Sequence, residues 1–505
     1  VNILDRLVAY VSPESAFRRS RFRALMAGYE SSRPSTLRKF SHDHFSGDLH
    51  ARKEARAIRA QARHLDRNHD LARGALSTMV NNIVGPNGIA IEPQPRSVSG
   101  EILDDVALQL SKLWKDFCQT PEVTYMHNMA ACQRLMCRTW LRDGESFAQL
   151  LEGNVPLLDH RTKVPLSIEL LEPEQVPTED ELFIKDGQGG IARNAWGQAK
   201  AYRVFKVHPG NGYLNLMNYM TQSQDIRIIP AERMLHLKLI DRIGQSRGVS
   251  IFASVITRLE DLKDYEESER IAAKIAASMA AYIKKGTPDL YDGNKDSNGN
   301  PIARSMRFQP GMIFDDLAPG EEIGTIDTNR PNVNLPAHRD GQLRAAAAGL
   351  GTSHSSLSRN YNGTYSAQRQ ELVEQWVHYA VLAEAFTSQI VEPLWKRFVA
   401  LAELSGLLKL PGELDRDTLD DALFISQQMP WIDPKKEAEG LQLLEENNYI
   451  SGPEIIRRRG ANPRDVVDQQ AKWERMKKDA NLAPKPSASP VSVIHPDPNL
   501  PESQQ

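Results

Sequence analysis

The segment Arg344–Arg369, reading RAAAAGLGTSHSSLSRNYNGTYSAQR, restricts the fold more than any other stretch of this chain. Its alanine run favours helix, because alanine gives up the least side-chain entropy there. Gly349 and Gly351 can end that helix, since glycine takes the left-handed conformation of a C-cap without strain. From Thr352 to Thr364 almost every residue is small, polar or a hydrogen-bonding aromatic. Such a stretch has little apolar surface to bury and is expected as an exposed loop between two rigid helices. Ser366 is placed to cap a second helical pattern that continues to Leu404 through Leu372, Trp376, Tyr379, Leu382, Phe386, Ile390 and Leu394. Pro393 should kink that helix, because proline removes one backbone donor and clashes with the preceding turn.

Upstream, apolar residues from Ile251 to Ile283 keep helical spacing, so one unbroken helix is expected over Val249–Lys285. At about 1.5 Å per residue it would span roughly 55 Å. Residues 286–336 are rich in Gly, Pro, Asn and Asp, with strand-like pieces near Met312–Phe314 and Ile323–Ile326. Residues 51–84 read as helix, stopped by Val84-Gly85-Pro86-Asn87-Gly88. Two more helices, split at Thr120-Pro121-Glu122, fill 101–142. Short alternating runs over 146–240 read as strands: Ser146–Leu151, Leu166–Leu171, Gly190–Ala192, Ala199–Val207 and Met234–Leu239. Shorter helices are expected over 405–479, one opened by the capping pattern Ser451-Gly452-Pro453-Glu454. Residues 1–50, with Arg18, Arg19, Arg21 and Arg23, read as a mobile arm. The Pro, Ser and Ala-rich stretch 483–505 reads as disordered. The fold class is mixed α+β, predominantly helical.

Charge balance excludes a global duplex-gripping surface, since 62 Lys and Arg face 65 Asp and Glu. Such a chain can touch nucleic acid locally or let it slide past. Cys118, Cys132 and Cys137 are an odd number without zinc-site spacing, and are expected as reduced thiols of a protein assembled in a cytoplasm. No run of about 18 apolar residues occurs, so no membrane span is expected. No G-x-x-x-x-G-K-[ST] motif is present to cradle a triphosphate, and no cofactor or metal site is expected.

Several short motifs follow one another in order. Arg63-x-Leu65-x-Arg67-Asn68 precedes Asn81-x-x-Val84-Gly85-x-Asn87-Gly88-Ile89. Asp143-Gly144-Glu145, Glu172-Pro173 and Gln245-Ser246-Arg247-Gly248-Val249 come next. Pro310-Gly311, Pro319-Gly320-Glu321 and Trp431-Ile432-Asp433-Pro434 complete the series around the Arg344–Arg369 run. In this order the chain resembles the portal proteins of lambda-type tailed phages over residues 63–434. That resemblance implies a wing over 51–247, stem helices over 248–285 and 337–351, and a clip over 286–336. It also implies a tunnel loop over 352–365, a long kinked helix over 366–404 and a helical crown over 405–482.

The resemblance further implies no enzyme, but one subunit of a homo-oligomer, a dodecamer at one capsid vertex of a virion assembled in the host bacterial cytoplasm. Double-stranded DNA would pass through its channel without sequence specificity. Ser358, Arg359, Asn360, Tyr361, Asn362 and Tyr365 would face that DNA; an intersubunit salt bridge or cap is the plainer reading of Arg359. Asp315, Asp316, Glu321 and Glu322 would dock the terminase large subunit, or be ordinary surface charge. Other expected partners are the major capsid and scaffold proteins and the head-completion connector proteins. Two rival readings stand beside this one. One is a metal-dependent nucleic-acid-processing enzyme using the acidic residues of 260–269. The other is a non-portal head–tail adaptor, which would lack paired stem helices around a β insert.

Overall fold

A computed structural model describes residues 45–178, 190–211, 226–277, 281–285, 297–298, 321–325, 334–429 and 433–480. The expectations for the N-terminal arm before Phe45, for Asp315 and Asp316 and for the tail from 483 onward lie outside the described residues.

The first helical pattern forms two helices, α1 (Gly47–Asn68) and α2 (Asp70–Ile83). Ser46 caps α1 by accepting from the Leu49 amide at 3.3 Å, so helix begins inside the expected arm. The break falls at His69, whose backbone is extended and whose buried ring bonds the Leu259 carbonyl at 3.0 Å. A side chain bonded to another element has overridden helical periodicity there. Next come β1 (Ala90–Pro93), α3 (Asp104–Phe117) and α4 (Met129–Asp143). Asn128 caps α4, and Gly144, at φ 91°, ends it.

Strands β2 (Glu145–Glu152), β3 (Leu166–Leu171), β4 (Ile191–Arg193), β5 (Ala199–Phe205), β6 (Ile226–Pro230) and β7 (Met234–Lys238) form two antiparallel sheets, ordered β3-β2-β7 and β4-β5-β6. Their apposed faces bury Phe147, Leu171, Tyr202, Val204, Ile229 and Met234 in a small core of their own. Strand β6 carried no sequence expectation.

The expected helix Val249–Lys285 is corrected by the structure. Ser250 caps a 3-10 turn, Ile251–Ser254, and Val255 leaves helical geometry before α5 (Ile256–Ala277) begins. Beyond α5, β8 (Ala281–Lys285) pairs antiparallel with β9 (Glu321–Thr325). Tyr282 and Ile283 continue the apolar spacing but also suit a strand, and a strand partner decides between the two states.

Helix α6 (Leu335–Leu350) lies along α5, with the Tyr265 and His338 rings 5.0 Å apart and Arg339 paired to Glu266. After a short α7 (His354–Ser358), α8 (Tyr365–Phe386) passes through a π-helical turn, Thr387–Val391, into α9 (Glu392–Leu404). Pro393 is thereby accommodated: the Glu392 amide donates to the Thr387 carbonyl, five residues back, just before the missing donor. The largest aromatic cluster of the main core lies where α9 meets α3. Trp395 is fully buried, its ring 5.5 Å from Trp114, and Phe398 sits 4.9 Å from Trp114.

Residues 405–429 are not helical as expected. They hold a 3-10 turn and β10 (Ala422–Ile425), which pairs with β1 far back in the chain. Helices α10 (Pro434–Glu446), α11 (Gly452–Arg458) and α12 (Pro463–Asp479) follow. Among the described residues no helix is long and apolar enough to cross a membrane.

Candidate functional site

The segment singled out by sequence divides into a pinned half and an exposed half. Gly351, at φ 67°, ends α6, and the Thr352 amide closes the cap on the Ala347 carbonyl at 3.0 Å. A β-carbon at Gly351 would also lie 2.6 Å from His378 Nε2. Gly349 does not terminate the helix. It sits inside α6, where a β-carbon would come within 2.5 Å of Val255, so its role is close approach to the start of α5.

The irregular loop expected from Thr352 is helical in its first half. Ser353 caps α7 by accepting from the Ser356 amide at 3.1 Å. Leu357 is buried and supplies the apolar anchor that composition understated. Gln375 and Glu371 of α8 hold this turn: Ser353 N–H and Ser356 Oγ donate to Gln375 Oε1 at 3.2 and 2.9 Å, and Ser355 Oγ donates to Glu371 at 2.6 Å. Ser358 Oγ turns back to the His354 carbonyl at 2.8 Å.

Arg359 takes the left-handed conformation at φ 56°, ends α7 and donates to Thr78 Oγ1 of α2 at 2.9 Å. The partner is a neutral hydroxyl of the same chain, neither an acid nor a helix-end carbonyl. From Arg359 to Ala367 every residue is exposed. Asn360 Oδ1 accepts from the Asn362 amide at 3.1 Å, and Gln368 donates to the Tyr361 carbonyl. The helix start is capped by Thr364, not Ser366: Thr364 Oγ1 accepts from the Ala367 amide at 3.4 Å. Tyr361 and Tyr365 stand more than half exposed, and Arg369 reaches back to the Tyr365 hydroxyl at 3.3 Å. The six residues named by sequence thus lie in one place, with only Ser358 partly covered. Their supports Thr78, Gln375 and His378 carried no sequence signal, because Thr78 comes from α2 and the other two lie ten and thirteen residues beyond Tyr365 along α8.

The acidic set is not assembled in the same way. Glu321 and Glu322 lie on β9, where register sets them opposite Lys285 and Lys284. Glu322 is exposed. Of the rival enzyme's carboxylates, Glu266 is paired to Arg339 and Glu269 is buried, while Asp261, Asp264 and Glu267 are exposed on α5.

Most of the described signature motifs meet elsewhere, at a buried ionic junction. Glu145, wholly buried, receives Arg247 at 2.6 Å and 2.9 Å, Arg59 at 3.1 Å and the Gly248 amide at 3.2 Å. Burial would raise its carboxyl, but Arg247, His236 and Arg59 outweigh that and hold it well below the usual carboxylate range. His236 lies 3.2 Å from Glu145, with Phe147 stacked on its ring. Burial, only partly opposed by Glu145, lowers His236 to about 4. The neutral ring therefore donates Nε2–H to Glu145, and Nδ1 accepts from the Tyr202 hydroxyl at 3.3 Å.

Asp143 is equally enclosed, with Arg63 at 2.7 Å and Arg142 at 2.7 Å; these hold it low against the opposing effect of burial. Arg247 also donates to the Pro173 carbonyl at 3.4 Å. A β-carbon on Gly248 would overlap the Gly144 carbonyl oxygen at 1.9 Å, so the backbones touch there. Glu172, Glu174 and His208 converge closely enough to suggest a metal site. Arg63 already supplies the cation, 2.9 Å from Glu174 and 3.5 Å from Glu172, so an ion-pair cluster fits these groups better. The three thiols are free, and burial pushes Cys118 and Cys132 up to about 12.

The family model described as phage portal protein, lambda family, matches residues 33–382. A probable portal protein of Halomonas phage phiHAP-1 is 22% identical over 427 residues, covering 83% of this chain and 80% of its own. Portal protein B of Escherichia phage lambda is 22% identical over 285 residues, 51% of this chain and 53% of its length. The portal protein of Escherichia phage N15 is 22% identical over 344 residues, 62% and 64% of the two chains. Among solved structures, a chain in the neck of a native gene transfer agent particle computed with C12 symmetry matches with a TM-score of 0.40 and 11% identity, over 82% of this chain and 99% of its own. This chain belongs to the lambda family of phage portal proteins.

Proposed function

We propose that this chain forms a closed ring, of twelve copies in the reading its family favours, at one capsid vertex. Double-stranded DNA is packaged and ejected through the ring. The observation that carries this reading is the exposed polar tip Arg359–Tyr365, held between α6 and α8 by an internal cap, a buried leucine and hydrogen bonds to α8. A conduit needs contacts that break as easily as they form. Closed symmetry multiplies each phosphate grip by the number of subunits, and each grip adds salt-dependent affinity that would stall translocation. Tyr361, Asn360 and Asn362 offer neutral hydrogen bonds, and Arg359 already has Thr78 as a partner.

The chain acts as a structural component, with a separate ATP-driven terminase docking at the insert between α5 and α6. The ladder there matches Glu321 and Glu322 with Lys285 and Lys284 in register, so docking through Glu322 relies on local rather than net acidic charge. Solution mass and end-on imaging of the purified full-length protein test the ring. A closed assembly near twelve copies is expected; a monomer or dimer that cleaves DNA with a divalent metal would replace this reading with the enzyme.

A further inference from the structure

The end of the described chain lacks what holds the rest together. Helices α10 and α11 bury no side chain, and α12 buries only Pro463. Helices of this length are marginal in water unless an apolar face is covered. What ties them to the body is ionic: Arg457 to Glu92 at 2.9 Å, Arg464 to Asp104 at 2.7 Å and Lys115 to Asp465 at 3.4 Å. Meanwhile Leu443 is 58% exposed and Tyr449 80%, at the end of α10 and just beyond it. On α12, Trp473 is 56% exposed and Met476 63%. Trp473 and Met476 are three residues apart and share one face of α12. Within one chain neither apolar group covers the other.

The two groups differ in charge. Leu443 is flanked on its own helix face by Glu439 and Glu446, four residues before and three after it. Trp473 and Met476 are flanked by Lys472 and Lys477, each four residues from one of them. Lys477 lies 5.4 Å from the Trp473 ring at the edge of the apolar stripe, where it also pairs with Glu474 of its own helix, while Lys472 stands on the other side.

We propose that the acid-flanked end of α10 on one subunit receives the base-flanked stripe of α12 on a second copy of this chain. Each copy then offers one donor face and one acceptor face, a heterologous contact that closes into a ring when the rotation per subunit allows. The missing core of residues 434–480 is completed between chains. This rests on the homo-oligomeric reading above and adds which surfaces meet.

Two full-length forms, Leu443→Cys and Met476→Cys, carrying different tags, are co-expressed, and their assemblies are treated with a short bismaleimide. Linked pairs bearing both tags are expected, with none above the wild-type background when either variant is assembled alone. Full-size assemblies without mixed links overturn the proposal, as does a double variant that links within one chain. Charge reversal supplies the second readout. Glu439→Lys with Glu446→Lys should raise the half-dissociation concentration about tenfold. Co-assembly with subunits carrying Lys472→Glu and Lys477→Glu as well should restore it; failure of restoration contradicts the pairing. A wild-type protein that stays monomeric at all concentrations overturns the ring itself, a result distinguishable from rings that form without these links.

Discussion

The ionic junction around Glu145 and the tip around Tyr361 are opposites in construction. At the junction, groups from α1, α4, β2, β7 and the stretch 245–248 saturate two buried carboxylates with arginine, imidazole and backbone donors. At the tip, seven successive residues from Arg359 to Tyr365 are exposed and bond mainly to their own neighbours. The motifs that identify the family fall mostly at the junction: Arg63, Asp143-Gly144-Glu145, Glu172-Pro173 and Gln245–Val249. The lesson is that a family signature can mark where a fold is locked, while the surface proposed to meet DNA is nearly neutral and locally built.

If the junction is a lock, breaking it should cost most. Glu145→Ala leaves Arg247 buried without its counter-ion and Arg59 with Glu174 alone, at about 3–5 kcal/mol. Chemical denaturation should show that loss together with impaired assembly; an unchanged midpoint would mean that the junction is not a stability element.

Acid should open the same lock in two stages. Folded His236 resists protonation down to about 4, whereas its ordinary value is 6.5, so the unfolded chain binds more protons between these values. Stability is therefore full above pH 6.5 and falls as pH drops toward 4, by on the order of 3 kcal/mol. Glu145 and Asp143 are held low, so their contribution is present above their ordinary values near 4 and is lost as pH falls further. Thermal melts across pH should show both stages, and His236→Gln should flatten the first while sparing the second. A wild-type melting temperature flat from pH 7 to 4.5 would sink this assignment.

The tip should tolerate what the junction cannot. Arg359→Ala removes one exposed hydrogen bond to Thr78 and should cost about 0.5–1 kcal/mol. Thr78→Val should match it, and the double variant should lose no more than either alone. A loss as large as that of Glu145→Ala would show that the tip is structural too.

Legibility followed locality. The helix ending at Gly351 and the apolar period from Leu372 to Leu394 could be read directly, because turn residues and helical spacing are properties of neighbours. Thr364 took the cap from Ser366 by a shift of two residues, a choice that composition alone does not make. The strand Ala422–Ile425 was missed because four residues carry little period and its partner, Ala90–Pro93, lies far away in sequence. For the same reason the junction was invisible as chemistry: Arg59 and Glu145 are 86 residues apart, and Arg247 and Glu145 are 102. Leu357 was outvoted by its polar neighbours, yet it anchors the tip.

The most direct test replaces Asn360–Gly363 with two glycines, keeping Leu357, the Ser353 cap and the Thr364 cap in place. Ring formation and DNA retained per particle are then measured on the same preparation. Rings of normal mass with shortened or leaking genomes are expected if the deleted residues face the channel as proposed, since they bond almost wholly to their own neighbours. Normal rings containing full-length, stably held DNA would contradict the placement of this tip against DNA.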